Sequence, residues 1–277
     1  MPDSTRQTPQ QGTRVVLITG ASSGIGEASA RRFASDPGTS LVLLARREER
    51  LRALAGELPG ASYLAVDLTD ERAPAIVRSH LEDNYGRLDV LVNNAGAAWR
   101  ATFADGGYEN VRRTMLINFD AQLRLTEALL PLLRASAPSA IVNVSSTAGR
   151  VARAGSGAYS ASKFALAGWS DALAAEERRH GVHVGLILPG FISTEGFPQS
   201  ELTAKPWTRW VVSTPQKAAE AIHQAAIDRR AERYVPRPYA LAAALRTLTP
   251  WLVRRVLWSG GANVMITKTG AEEADRR

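Results

Sequence analysis

The chain has no cysteine among its 277 residues, which excludes disulfide bonds and thiolate metal sites. Its four histidines are scattered. His180 and His183 are close to each other, but they flank Gly181 at an expected helix end and have no further ligand nearby. We therefore expect no metal site. The composition is compatible with a reducing, cytoplasmic location.

Long apolar runs are also missing from the sequence. No run approaches the ~18 residues that a membrane-spanning helix requires. Residues 1–12 are polar and lack the apolar core of a signal peptide, and residues 268–277 are polar as well. We expect both segments to be disordered tails and the protein to be cytoplasmic.

Acidic residues are scarce in one part of the chain, although the formal net charge of the whole is only +7. Residues 229–258 contain a single acid, Glu232, and seven arginines: Arg229, Arg230, Arg233, Arg237, Arg246, Arg254 and Arg255. The remainder is nearly neutral, so the basic surface is local. No nucleic-acid-reading motif accompanies it, and we expect no nucleic-acid partner.

Short apolar runs alternate with helical patterns for most of the chain. The runs are continuous rather than alternating, as expected for strands whose two faces are both covered: residues 14–19, 41–45, 63–66, 88–92, 140–144 and 182–188. This pattern predicts a single α/β domain over residues 13–236. It would have a Rossmann-like, doubly wound parallel sheet in three α/β/α layers, followed by C-terminal amphipathic helices.

The first predicted strand runs into a glycine-rich turn, Gly20 to Gly26, that opens a helix. Glycines let the backbone approach a pyrophosphate, and a helix N-terminus attracts its charge. The second strand ends in Ala45-Arg46-Arg47, where an NAD-binding protein would place an acid. Arginine pairs well with a phosphate, so we predict NADP. The alternative is a solvated charged turn.

Tyr159 and Lys163 are four residues apart in a predicted helix and therefore share one face. A cation about 4 Å from the phenol, at an effective dielectric constant of about 20, would favour the phenolate by about 4 kcal/mol. That corresponds to about 3 pK units and predicts an acid/base group near neutral pH. Such pairs also occur on ordinary amphipathic helices, but here Ser146 follows a strand shortly upstream.

With these pieces in place, residues 13–235 resemble the short-chain dehydrogenase/reductase family in its common, non-extended form. The family's motifs occur in order: Thr19-Gly20-x-x-x-Gly24-x-Gly26, Asp67, Asn93-Asn94-Ala95-Gly96, Asn118, Ser146, Tyr159, Lys163, and Pro189-Gly190 followed by Ile192 and Thr194. The resemblance implies an NADP(H)-dependent oxidoreductase acting on a carbonyl or secondary alcohol. It also implies a homodimer or homotetramer.

The resemblance implies roles for individual residues. In the catalytic tetrad, Tyr159 would exchange the proton and Ser146 would hold the substrate oxygen. Lys163 would bind the nicotinamide ribose and lower the Tyr159 pKa, and Asn118 would anchor a water. The implied cofactor contacts are Gly20, Ser22, Ser23, Gly24, Ile25, Gly26, Arg46, Arg47, Asp67, Leu68, Asn94, Ala95, Gly96, Tyr159, Lys163, Pro189, Gly190, Ile192 and Thr194.

Two regions leave alternatives open. A predicted lid, residues 191–214, carries Phe191, Phe197 and Trp207, which with Trp99 either line a pocket for a bulky or apolar substrate or simply pack. The basic extension, residues 237–267, has an apolar stripe and a new helix start at Pro250. It would roof the active site, contact another subunit or lie on a membrane. A cofactor sensor without catalysis and a membrane-surface protein are the alternative functions.

Overall fold

The structure, a computed structural model, describes residues 14–193 and 212–258. The predicted terminal tails and most of the predicted lid, with Thr194, Phe197 and Trp207, lie outside the described residues.

Strands and helices alternate along the described chain. The strands are β1 Arg14–Thr19, β2 Thr39–Ala45, β3 Ala61–Ala65, β4 Val90–Asn93, β5 Ser139–Val144, β6 Val182–Pro189, β7 Phe191–Ile192, β8 Val212–Ser213 and β9 Glu232–Val235. The helices are α1 Gly24–Ala34, α2 Glu48–Glu57, α3 Ala73–Asn84, α4 Phe103–Met115, α5 Ala121–Ala135, α6 Gly157–Glu177, α7 Pro215–Ile227, α8 Tyr239–Leu248 and α9 Pro250–Trp258.

Seven of these strands form one parallel sheet in the order β3-β2-β1-β4-β5-β6-β9. The strand order reverses between β1 and β4, which are paired from Val16 opposite Val90 to Ile18 opposite Val92. In sheets of this kind, ligands bind beyond the carboxyl ends of the strands at such a reversal. The predicted doubly wound parallel sheet is confirmed, and the expected ligand side is the edge where Thr19 and Asn93 end their strands.

Helices cover both faces of the sheet, as the continuous apolar strands predict. On β1, Val16 and Ile18 belong to a core under α1, α2 and α7, while Val15 and Leu17 belong to a core under α3, α5 and α6. All four side chains are fully buried. Two-sided burial fixes the register of each strand, and the register determines which residues emerge at the carboxyl edge.

Two local features were not predicted from the sequence. Phe191–Ile192 pairs with Val212–Ser213 in a small parallel ribbon outside the main sheet, so the described ends of the predicted lid are joined. A π-helical turn, Leu116–Asp120, separates α4 from α5. Such turns occur frequently at functional sites, and this one carries Asn118.

The predicted break at Pro250 is present, because Thr249 ends α8 and Pro250 begins α9. The predicted apolar stripe is solvent-exposed on these two helices, including Leu241 at 65%, Leu248 at 78% and Val256 at 55% exposure. Across residues 14–193 and 212–258, no helix combines the length and apolar character that spanning a membrane demands.

Candidate active site

The glycine turn after β1 is tightly held against the loop after β4. Gly20 has φ +67°, and a Cβ added to it would lie 2.9 Å from Asn94 Nδ2. A Cβ on Gly26 would lie 2.2 Å from the Gly20 carbonyl oxygen. Ser23 at the N-cap makes no side-chain capping bond, which leaves the first N–H groups of α1, around Gly24 and Ile25, to a ligand. This cradle suits a pyrophosphate.

The Asn-Asn-Ala-Gly loop after β4 fixes the cradle. Asn94 Nδ2 donates to the Thr19 carbonyl oxygen at 2.9 Å, and Thr19 Oγ1 accepts from the backbone N–H groups of Asn94 and Ala95, each at 2.9 Å. Below it, the buried Asn93 Nδ2 donates to Thr126 Oγ1 and to Asn143 Oδ1 at 3.0 and 2.9 Å. These bonds tie the carboxyl ends of β1, β4 and β5 together.

The two arginines after β2 occupy different positions. Arg47 lies over the glycine turn, where its guanidinium donates to Ser22 Oγ at 3.1 Å and to Ser23 Oγ at 2.7 Å. The Arg46 side chain, also predicted to contact the cofactor, is 77% exposed and lies 3.9 Å from Asp67 Oδ2. Ala45 ends β2 as predicted. The sequence does not distinguish the two arginines, because it does not specify the direction in which the turn points each side chain.

Asp67 and Leu68 follow β3 on the same side of the molecule. Asp67 Oδ1 accepts from the backbone N–H and the hydroxyl of Thr69 at 2.9 and 2.8 Å, which orients the carboxylate at the edge of the sheet. Leu68 is buried. The two residues thus lie beyond the second and third strands, the region in which the resemblance predicts the adenine contact.

Asn118 is fully buried in the π-helical turn. Its Oδ1 accepts from the Ala97 N–H at 2.8 Å, and its Nδ2 donates to the Ala97 carbonyl oxygen at 2.8 Å and to Ser162 Oγ at 3.0 Å. A Cβ on Gly96 would lie 2.8 Å from Asn118 Oδ1 and 3.6 Å from Lys163 Nζ. Asn118 therefore joins the loop after β4 to the helix that carries Tyr159 and Lys163.

Ser146 follows the end of β5 by two residues and is buried. Its Oγ accepts from the Ala148 N–H at 3.1 Å and donates to the Pro189 carbonyl oxygen at 3.3 Å. Gly190, next to Pro189, donates its N–H to the Val235 carbonyl oxygen at 2.8 Å. Ile192 is buried in β7. Ser146 and the Pro189-Gly190 segment therefore adjoin each other.

Lys163 is almost fully buried on α6, and its Nζ donates to the Val144 carbonyl oxygen at 2.8 Å. Its Nζ lies 5.9 Å from the centroid of the Tyr159 ring. Burial lowers the Lys163 pKa to about 8. With a value near 8 the lysine remains mainly protonated at neutral pH.

The expected lowering of the Tyr159 pKa is wrong for this arrangement. Burial raises the Tyr159 pKa, while a hydrogen bond with Ser146 and the charges of Arg153 and Arg100 act in the lowering direction. The reason is that desolvation of the phenolate outweighs these effects, and Lys163 is directed to the Val144 carbonyl oxygen. A protonated Tyr159 is the form that donates a proton.

Three residues near Tyr159 were missed by sequence reasoning. Arg153 lies with its Cζ 4.8 Å from the centroid of the Phe191 ring. Tyr239, the first residue of α8, contacts Gly190, since a Cβ there would lie 2.4 Å from its ring. Arg100 follows Trp99, whose ring lies 4.6 Å from Arg113 Cζ. No local motif identifies these residues, because only the tertiary fold assembles them.

Comparisons with known proteins agree with this geometry. A family model described as short chain dehydrogenase matches residues 14–204. Dehydrogenase/reductase SDR family member 7B of Bos taurus is 34% identical over 265 residues, which cover 88% of this chain and 80% of that protein. Sulfoacetaldehyde reductase 2 of Chromohalobacter salexigens is 40% identical over 186 residues, which cover 65% and 73%, respectively.

A solved structure resembles this chain over most of the length of both proteins. A short-chain dehydrogenase from Streptomyces avermitilis superposes with a TM-score of 0.74 and 32% sequence identity, covering 87% of this chain and 97% of that one.

Proposed function

Because this chain belongs to the short-chain dehydrogenase/reductase family, we propose that it is an NADP(H)-dependent oxidoreductase that transfers a hydride between nicotinamide and a carbonyl or secondary alcohol. The observation that carries the proposal is the convergence of Asn118, Ser146, Tyr159 and Lys163 beside the glycine cradle. A cofactor sensor without catalysis would not require all four side chains.

The residues have separate tasks in this reaction. A nicotinamide nucleotide, when bound, supplies the hydride. Tyr159 gives its proton to the carbonyl oxygen, and the Ser146 hydroxyl donates a hydrogen bond to the same oxygen. Lys163 holds a positive charge near the phenolate that Tyr159 becomes, and Asn118 keeps α6 in register with the loop after β4.

Preference for NADP is proposed from the charges after β2. Arg47 on the glycine turn and Arg46 beside it form a basic surface where the ribose 2′-phosphate would project, and Ala45 brings no competing carboxylate. A charge-assisted hydrogen bond to a phosphate contributes about 1.5–3 kcal/mol, or about a tenfold to hundredfold preference.

The test is a screen of aldehydes and ketones read by oxidation of NADPH and, separately, of NADH. The wild type should turn over at least one carbonyl with NADPH and use NADH far less well. Arg46→Ala and Arg47→Ala should each raise the Michaelis constant for NADPH and change that for NADH little. Ala45→Asp should shift the preference towards NADH. Cofactor binding without turnover of any carbonyl would support the sensor, and equal use of both cofactors would contradict NADP preference.

The site also bears on the size and polarity of the substrate outside its carbonyl group. Trp99 and Phe191 favour a bulky or apolar substrate, yet each ring has a guanidinium over it, from Arg113 and Arg153, respectively. The reductase from Chromohalobacter salexigens is named for sulfoacetaldehyde, a carbonyl compound, which supports the carbonyl class.

A second candidate function, peripheral membrane contact, is favoured by α8 and α9. Leu248 and Trp251 are 78% and 66% exposed, and these helices carry Arg246, Arg254 and Arg255 without an acid. Vesicles rich in phosphatidylserine should float the protein, whereas phosphatidylcholine vesicles should not. Leu248→Asp should abolish flotation, and Ile76→Asp, at a similarly apolar exposed position on α3, should not. Absence of flotation in the wild type would exclude this function.

A further inference from the structure

Two arginines lie beside the catalytic tyrosine without an acidic partner among residues 14–193 and 212–258. Arg153 lies in the loop between Ser146 and Tyr159, is half-buried, and makes its described side-chain contact with the face of the Phe191 ring. Arg150, three residues earlier, instead pairs with Glu232 at 2.8 Å. An unpaired, partly desolvated guanidinium is costly unless an anion approaches it.

The second arginine is held close to the first by the backbone. The Ala101 N–H donates to the Gly155 carbonyl oxygen at 3.1 Å, which joins the loop after β4 to the loop after β5. Arg100 and Arg153 therefore project from adjacent loops on the ligand side of the sheet. Their proximity is also felt electrostatically, because burial and the charge of Arg100 lower the Arg153 pKa.

Space and walls for a small group are present next to Arg153. A cleft of about 340 Å³ is lined by Arg153 and by mainly apolar neighbours, among them Val111 and Ala158, the residue before Tyr159; Arg100 lies next to the lining residue Ala101 but does not itself line the cleft. Tyr239 forms a hydrogen bond to the Phe191 backbone and packs on Gly190, which keeps the aromatic ring under the Arg153 guanidinium. The guanidinium fork suits the paired oxygens of a carboxylate or a sulfonate.

We propose that Arg153 and Arg100 bind an oxyanion group of the substrate, a carboxylate or a sulfonate, while its carbonyl oxygen lies against Ser146 and Tyr159. This inference rests on the proposed hydride-transfer function. In this reaction the hydride would add to the carbonyl carbon, and the π electrons of the carbonyl would form the new O–H bond with the proton of Tyr159. The nicotinamide would be left oxidised. The substrate class is thus an acid that also carries an aldehyde or ketone.

The test compares charged and uncharged partners in the same reaction. The pairs are 4-oxobutanoate with its methyl ester and sulfoacetaldehyde with propanal, all with NADPH. The wild type should show a kcat/KM about tenfold to hundredfold higher for the anion of at least one pair. The pair with the larger anion-to-neutral ratio of kcat/KM shows whether the site prefers a carboxylate or a sulfonate.

Variants assign the preference to the arginines. Arg153→Gln should reduce the anion-to-neutral ratio towards one, mainly through KM for the anion, and Arg153→Lys should restore part of it. The ratio cancels the effect of Arg153 on the Tyr159 pKa, since both substrates use the same tyrosine. Arg100→Gln should reduce the ratio less. As the matched control, Arg112→Gln removes an exposed charge 4.0 Å from Glu109 on α4 and should leave the ratio unchanged.

Binding of anions that cannot be reduced tests the site independently of turnover. Calorimetry with butanoate and methanesulfonate, in the presence of NADP, should show binding that Arg153→Gln abolishes. Equal kcat/KM for anion and neutral partner in the wild type would overturn the proposal, as would an Arg153→Gln variant that lowers both equally. If no carbonyl is turned over, the proposed function fails, and calorimetry then decides the anion site alone: binding lost in Arg153→Gln supports it, and binding absent or unchanged overturns it.

Discussion

At the scale of single residues, burial sets the protonation of the catalytic pair. It raises the Tyr159 pKa and lowers the Lys163 pKa to about 8. Within the described part of the chain, the buried Lys163 Nζ is hydrogen-bonded to the Val144 carbonyl oxygen alone, so the lysine retains its charge at neutral pH at a cost to stability. In the proposed reaction, the same charge would stabilise the developing phenolate.

This balance predicts how stability depends on pH. Burial lowers the Lys163 pKa to about 8, well below the usual lysine pKa of 10.5, so the folded state should release this proton at a lower pH than the unfolded chain does. Because the unfolded chain binds more protons between these values, the free energy of unfolding should rise with pH across that window, by up to about 3 kcal/mol from this group.

Lys163→Met should remove that rise and should be more stable than the wild type below pH 8. Chemical denaturation of both proteins at several pH values measures the difference. The same slope in both proteins between pH 8 and 10 would contradict the assigned lysine pKa.

At the scale of elements, the turn from β1 into α1 has no room for a side chain at Gly26. Gly26→Ala would place a Cβ 2.2 Å from the Gly20 carbonyl oxygen, and the turn must open to admit it. We expect NADPH affinity, measured by fluorescence titration, to fall at least tenfold, which corresponds to about 1.4 kcal/mol.

Gly56→Ala is the matched control, because it lies in α2 with nothing within 4 Å of its added Cβ. In a helix interior, alanine is favoured over glycine by about 0.5–1 kcal/mol, so this variant should bind NADPH normally and be slightly stabilised. Normal NADPH affinity in Gly26→Ala would show that the turn is not the pyrophosphate cradle.

The elements also explain which parts of the site the sequence could predict. The glycine turn, Ser146 and the Tyr159–Lys163 pair lie in short local patterns, and the parallel sheet brings strand ends to one edge whatever the details. Arg153 and Tyr239 meet Phe191 and Gly190 only after β6, α8 and the loop after β5 are packed together. The Arg46 and Arg47 side chains occupy different positions because of the backbone angles at the turn into α2, which composition does not encode.

At the scale of the whole molecule, the described residues include two surfaces that are apolar and exposed. One lies on α4 and α6, where Tyr108 and Phe164 are 67% and 42% exposed, and the other is the stripe on α8 and α9. The sequence predicted the stripe but not its exposure, because an apolar stripe does not specify what covers it. We propose that the predicted dimer or tetramer, if formed, is joined through the first surface.

Light scattering should give a dimer or tetramer mass at micromolar concentration. Phe164→Asp introduces a charge that must be desolvated in the interface and should yield monomers. Leu248→Asp, on the second surface, should leave the mass unchanged. A monomeric wild type, or dissociation caused only by Leu248→Asp, would contradict the assignment of the interface to α4 and α6.

The central claim is that the molecule reduces a carbonyl with a proton from Tyr159, and isotope transfer tests it most directly. The protein is incubated with carbonyl compounds and NADPH carrying deuterium at the transferable position, and the products are analysed by mass spectrometry. We expect an alcohol with one deuterium on the former carbonyl carbon. Tyr159→Phe, which keeps the ring and lacks the proton, should still bind NADPH but form this product about 10²–10⁴-fold more slowly. An alcohol without deuterium, or equal rates for Tyr159→Phe and the wild type, would contradict it.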